Sequence, residues 1–171
     1  MPVQSIELLL DDPTEEWIRS EWRMLTAAHL PGLRETARPH VTLTVAQEIW
    51  PRIDQQLRRV PFTPFPVRIG PLAMFTRRRS DTGVLVRIVV PSAELLALQS
   101  AIHQEVSSCP GQPAHTRPGE WTPHITLARR FPLTSFAVAA EQLSTAQFSG
   151  RAVAVRHWDG VNRKDWLISE G

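Results

Sequence analysis

Residues 3–10, VQSIELLL, are rich in apolar side chains over a length that suits a single strand. Asp12-Pro13-Thr14-Glu15 then supplies an N-cap, a proline at the first helical position and a capping-box glutamate. Ile18, Trp22, Leu25 and Ala28 recur at helical spacing, which predicts a helix that stops near Pro31-Gly32. The β-branched run HVTLTVA, 40–46, reads as a short strand, and a second helix is expected over 48–59, before Pro61. From 65 to 90 the pattern becomes strand, turn, strand, with the basic stretch Thr76 to Gly83 as the turn.

The same sequence of signals then repeats. Pro91-Ser92 opens a helix with Leu95, Leu98, Ile102 and Val106 on one face. A Pro- and Gly-rich loop over 109–123 leads into the strand 124–129, and a short helix follows over 134–143. Two strands, 151–158 and 163–169, close the chain around Asp159-Gly160. Strands alternating with helices, and no linker long enough to divide them, predict one α+β domain.

The repetition reaches the residues themselves. Arg38-Pro39-His40-Val41-Thr42-Leu43 is answered by Thr122-Pro123-His124-Ile125-Thr126-Leu127, with the histidines 84 residues apart. Val67-Arg68 and Val155-Arg156 correspond at an offset of 88. At this composition one His-[Val/Ile]-Thr-Leu is expected roughly 0.006 times, so two copies are not an accident of frequency. The chain therefore reads as an internal duplication, about 1–80 and 81–171, with two lobes related by a pseudo-twofold axis.

In a strand alternate side chains share a face. His40 thus projects with Thr42, and His124 with Thr126, while Val41, Leu43, Ile125 and Leu127 turn to the core. Two lobes meeting about a dyad would bring two imidazoles and two hydroxyls around one small volume. Imidazoles titrate near neutrality, so one can take a proton while the other gives one. The threonine hydroxyls can donate to an anionic oxygen as charge grows on it. A phosphodiester suits such a site: an activated oxygen attacks phosphorus and the departing oxygen is protonated.

Composition narrows the class further. The chain has 171 residues, 42% hydrophobic and 21% charged, enough for a packed core and too apolar for disorder. One cysteine, Cys109, excludes an internal disulfide framework and any multi-cysteine zinc site. None of the six histidines has HExxH or His-x3-5-His spacing, and neither motif holds an acidic residue, so no metal is expected. No apolar run approaches the length of a membrane helix, and the first residues lack the pattern of a secretory signal. The expectation is a cytoplasmic monomer without cofactor, membrane or protein partner. Of the 19 basic residues only Lys164 is lysine. Arginine forks suit phosphate, and codon bias explains the same excess.

The paired motifs, His40-Val41-Thr42-Leu43 and His124-Ile125-Thr126-Leu127, resemble those of the 2H phosphoesterase superfamily. The likeness is to its 2′-5′ RNA ligase-like and cyclic phosphodiesterase members, and covers essentially the whole chain. It implies a bilobal fold of antiparallel sheets lining a central cleft, with helices outside. It also implies metal-independent opening of 2′,3′-cyclic phosphates of RNA ends or nucleotides, including ADP-ribose cyclic phosphate, to 2′-phosphates. Some members join RNA ends through 2′-5′ links, and a binding module without turnover is the remaining alternative. By this resemblance His40 and His124 are catalytic, in either order as acid and base, and Thr42 and Thr126 bind substrate. In bacterial ligase-like members an apolar stretch ending Phe-Leu-Gly often follows the first motif; here Thr44-Val45-Ala46 does. An arginine five positions after the second histidine is matched by Arg129, whereas strict alternation puts Arg130 on the face of His124, unless a bulge follows Leu127.

Other candidates divide between chemistry and packing. Trp121, three residues before His124, is a substrate-binding candidate by stacking on a base, with packing as its alternative. Arg77, Arg78 and Arg79 form a hairpin tip that is either simply solvated or in contact with RNA phosphates. His115 lies in the loop before the second motif, a candidate for touching substrate. His29 is expected on the apolar face of the first helix near its C-terminus, His103 toward solvent, and His157 packed in its strand.

Overall fold

The computed structural model describes residues 3–143 and 145–171. Its elements alternate as the apolar pattern predicts. The order is β1 Gln4–Leu10, α1 Asp12–Ala27, β2 His40–Ala46, α2 Pro51–Leu57, β3 Phe65–Thr76, β4 Thr82–Val89, α3 Ala93–Val106, β5 His124–Pro132, α4 Phe136–Gln142, β6 Phe148–Asp159 and β7 Lys164–Glu170. Several boundaries move for local reasons. The N-cap of α1 is Asp11 rather than Asp12, so Pro13 is the second helical residue, and the Thr14 hydroxyl bonds the Asp11 carboxylate. The second helix opens at Pro51 instead of 48, because proline's fixed φ and missing N–H suit the first turn.

All strand pairs are antiparallel, and the sheet runs β2-β1-β6-β3-β4-β5, with β7 also on β6. Exchanging β1, β2 and β3 for β4, β5 and β6 reverses this order without changing it. Each half of the chain thereby lends its last strand to the other lobe: β6 pairs with β1, and β3 with β4. The sheet is open, yet it curls until its two end strands, β2 and β5, lie close together without pairing. The α+β fold, with an antiparallel sheet and helices outside it, agrees with the sequence reading.

The helices cover the convex face. Ile18, Trp22 and Leu25 of α1 and Leu95, Leu98, Ile102 and Val106 of α3 join Ile6, Leu8, Leu10, Val41, Leu43, Leu85, Ile125 and Leu127 in one apolar cluster. Burying each large aliphatic side chain contributes about 1.5–3 kcal/mol before entropy is counted. One ion pair is sealed within this layer. Arg87 of β4 donates from Nε to Glu21 of α1 at 2.9 Å, with both side chains almost fully buried. Burial pushes the Glu21 carboxyl above its usual range, and Arg87 opposes that shift. Removing either partner alone would leave an uncompensated buried charge.

Candidate active site

The two motifs open the two end strands. His40 Nδ1 donates to the Arg38 carbonyl at 2.8 Å, and His124 Nδ1 donates to the Thr122 carbonyl at 2.8 Å. A carbonyl can only accept, so Nδ1 carries the hydrogen in both rings. The exchangeable site is therefore Nε2 in both.

A β-bulge follows each motif at the same place. Ile6 opposes Thr44 and Glu7 opposes Thr42, so Leu43 is the extra residue; Leu85 opposes Ala128 and Val86 opposes Thr126, so Leu127 is. The bulge shifts alternation by one. Leu127 and Ala128 both belong to the core, as Leu43 and the fully buried Thr44 do on their side. His40, Thr42, His124 and Thr126 remain half-buried on the opposite, concave face. A second irregularity leaves Arg129 and Arg130 together opposite Val84, between the core residues Ala128 and Phe131. Arg130 takes φ 51, the left-handed region that lets the strand absorb the extra residue. The choice between the two arginines dissolves, since both are exposed away from the core.

An end strand has carbonyls that no ladder satisfies. Here each motif is tied by the other half of the chain. Trp22 of α1 donates its indole N–H to the Thr126 carbonyl at 3.3 Å, and the Leu33 amide reaches the Leu127 carbonyl at 3.0 Å. Reciprocally, Trp121 donates to the Thr42 carbonyl at 3.0 Å, and buried Gln99 of α3 donates to the Leu43 carbonyl at 3.2 Å. The Trp121 ring is half-buried and packs against the core, so it holds the first motif in place.

The surroundings of the two histidines differ. His40 Nε2 lies 3.4 Å from Oε1 of buried Glu7, which also accepts from Ser5 and pairs with Arg156 of β6. His124 meets the edge of Phe75 instead, ring centroids 4.7 Å apart. Desolvation pulls the His124 imidazole below its ordinary pKa, its bond to Thr122 opposes this, and the nearby His40 and His115 add to the lowering. Glu7, Arg156 and Phe75 escaped the sequence reading. The signal for Glu7 was available, a single carboxylate within an apolar strand one residue from Leu8.

Other histidines depart from expectation in two cases. His29 is exposed beyond the end of α1 at φ 57, because the helix stops at Ala27 and the chain reverses there. His103 is half-buried between α3 and β2, 3.3 Å from the Thr44 hydroxyl, and burial with the charge of Arg117 lowers its pKa. His157 is buried, bonded to Asp54 of α2 at 2.8 Å. His115 is exposed on a short 3₁₀ turn, and Arg77, Arg78 and Arg79 are exposed at the β3–β4 tip. Among the described residues no group of three or more His, Cys, Asp or Glu is gathered for a metal, and no helix is long and apolar enough to cross a membrane.

A profile of the 2′-5′ RNA ligase superfamily matches residues 10–162. The chain belongs to this superfamily. Membership in this superfamily of 2H phosphoesterases carries with it phosphoester chemistry on RNA or nucleotides. Solved structures share the superfamily fold. E. coli LigT complexed with NADP+ is 17% identical, with a TM-score of 0.60 over 99% of this chain and 98% of that one. Usb1 of Kluyveromyces marxianus is 15% identical, TM-score 0.58, over 98% and 97%. TT0787 of Thermus thermophilus is 15% identical, TM-score 0.62, over 98% and 96%. At such identities the likeness is one of fold. Comparison with curated protein sequences finds no match.

Proposed function

We propose that this superfamily member is a metal-independent phosphodiesterase that opens 2′,3′-cyclic phosphates, on RNA ends or nucleotides, to 2′-phosphates. The observation that carries this reading is the pair of concave-face histidines, each with Nδ1 locked to a carbonyl and Nε2 left for proton exchange. In this mechanism one Nε2 takes a proton from water as its oxygen bonds to phosphorus. The P–O3′ bond breaks, and the other Nε2 delivers its proton to O3′. Thr42 and Thr126 donate to the non-bridging oxygens, and Arg129, with Arg130 beside it, balances their charge. Trp121 acts by holding the Thr42 carbonyl rather than by stacking on a base. We read the chain as one domain of two related halves, about 1–80 and 81–171, and the reversible strand order supports that division.

The test supplies a 2′,3′-cyclic nucleotide and a cyclic-ended RNA separately, with chelator present, and follows 2′-phosphate by phosphorus NMR. Turnover of either substrate supports the reading. Tight binding without turnover would make the chain a binding module, and loss of turnover on chelation would overturn the metal-free mechanism. The superfamily's name favours a second reading, 2′-5′ joining of RNA ends as the reverse of the same chemistry. Offering a 5′-hydroxyl RNA alongside the cyclic end tests it.

A further inference from the structure

Each lobe places a residue beneath its motif, and the two differ in chemistry. By register Glu7 and Arg156 on β1 and β6 correspond to Val86 and Ala73 on β4 and β3. Glu7 is 3% exposed and Arg156 8%, so both charges are held in a poorly solvated floor. Arg156 bonds Glu7 Oε2 through Nε and Nη2 at 2.8 Å, and its Nη1 reaches Asp165 of β7 at 3.2 Å. One guanidinium shared by two carboxylates leaves the cluster with one net negative charge. Its nearest oxygen to the site, Glu7 Oε1, is 3.4 Å from His40 Nε2. That separation is long for a hydrogen bond, so Glu7 acts through charge and leaves the Nε2 hydrogen for substrate.

We propose that Glu7 is a positioning residue that keeps Nε2 of His40 protonated, which makes His40 the acid and His124 the base in ring opening. The inference rests on the phosphodiesterase reading of the cleft. The charged groups around His40 are Glu7 from β1, Arg38 in the preceding loop, His124 from β5, Arg156 from β6 and Asp165 from β7. Arg38 is itself paired with Glu15 of α1 at 2.8 Å, so Glu7 is the uncancelled neighbour. His124 faces Phe75, and its Nε2 lone pair is the one placed to take a proton from water. In the step, water oxygen bonds phosphorus, its proton passes to His124, P–O3′ breaks, and the His40 proton goes to O3′. Solvent then exchanges the two protons back.

The test combines pH profiles with a changed leaving group. In Glu7→Gln the alkaline limb of the pH–rate bell should move to lower pH by about half a unit or more, with the acidic limb in place. Asp165→Asn, at an exposed position, should move the same limb less and guards against a folding failure in Glu7→Gln. A cyclic substrate with sulfur at the 3′ bridge needs no proton on its leaving group. On it His40→Ala should recover most of its lost rate, and His124→Ala should recover none. An unmoved alkaline limb in both carboxylate variants, or rescue of His124→Ala instead, would overturn the assignment. Ring-carbon NMR of His40 in the substrate-free wild type and Glu7→Gln reads the effect of Glu7 directly. A shift there without turnover of any cyclic substrate would sink the phosphodiesterase reading and leave the effect of Glu7 standing.

Discussion

The two His-x-Thr-x strands are close to interchangeable in backbone and unlike in surroundings. Each follows a proline, locks its imidazole through Nδ1 on the carbonyl two residues back, and bulges at its leucine. One looks onto Glu7 and Arg156, the other onto Phe75 and Val86. Shared geometry sets what each ring can do, a proton exchange at Nε2. The differing floors set what each ring does by preference. A twofold-related site that stayed symmetric would hold two equal bases, and catalysis by proton relay needs two unequal ones.

The largest expected effects come from the rings themselves. His40→Ala and His124→Ala should each lower cyclic phosphate hydrolysis by about a thousandfold, within the range for a general acid or base. Single-turnover rates would show it, and undiminished rate in either variant removes that histidine from the mechanism. Thr42→Val and Thr126→Val test whether the hydroxyls are equally shared. Each should cost about a hundredfold in kcat with a smaller change in KM, as for loss of one donor to developing charge. A loss confined to one of the pair would mean that the phosphate leans on a single lobe.

The reciprocal ties offer a gentler comparison. Trp22→Phe and Trp121→Phe each remove one indole donor and keep most of the ring. Each should lower unfolding free energy by about 1 kcal/mol in urea titrations and reduce the hydrolysis rate severalfold, because the motif carbonyl loses its cross-half partner. Stability effects of very different size would show that one lobe depends on its tie more than the other does.

The smallest effect is a slope. Folding holds His124 and His103 below their ordinary values. Unfolded imidazoles protonate near pH 6.5, and these two resist until lower pH. The unfolded state therefore binds more protons below that point, and stability falls as pH drops beneath about 6.5 while staying level above it. His124→Asn should flatten that acid-side decline in urea melts between neutrality and pH 5, and His103→Asn should act in the same direction. A decline unaltered by both changes would place its source elsewhere.

Much of the fold was readable from the chain. Periodic apolar positions marked every strand and helix, and the duplicated motif marked the two histidines, because both signals are local. The misplacements were local too: Asp11 rather than Asp12 caps α1, and Pro51 opens α2 later than its apolar flank suggests. His103 was read as facing solvent because its helix face was judged alone, whereas β2 packs beside it and supplies Thr44. Glu7 lay unremarked in an apolar strand, since nothing within β1 says that it stands next to His40 or that Arg156 will meet it from 149 residues away.

Local sequence was enough to set the alternation of elements, the duplication of the motif and the pairing of each histidine with a threonine on one face. Strand periodicity and helix punctuation follow from backbone sterics and neighbouring side chains, so they can be read within a few residues. Long-range packing alone set three further features. The sheet curls its two end strands together, bulges after Leu43 and Leu127 turn Thr44 and Ala128 to the core, and both arginines after Ala128 stay outside it. Packing also set one histidine over a carboxylate and the other against a phenyl ring. Those facts depend on which strands pair and in what register, and pairing is set by contacts between residues far apart in the chain.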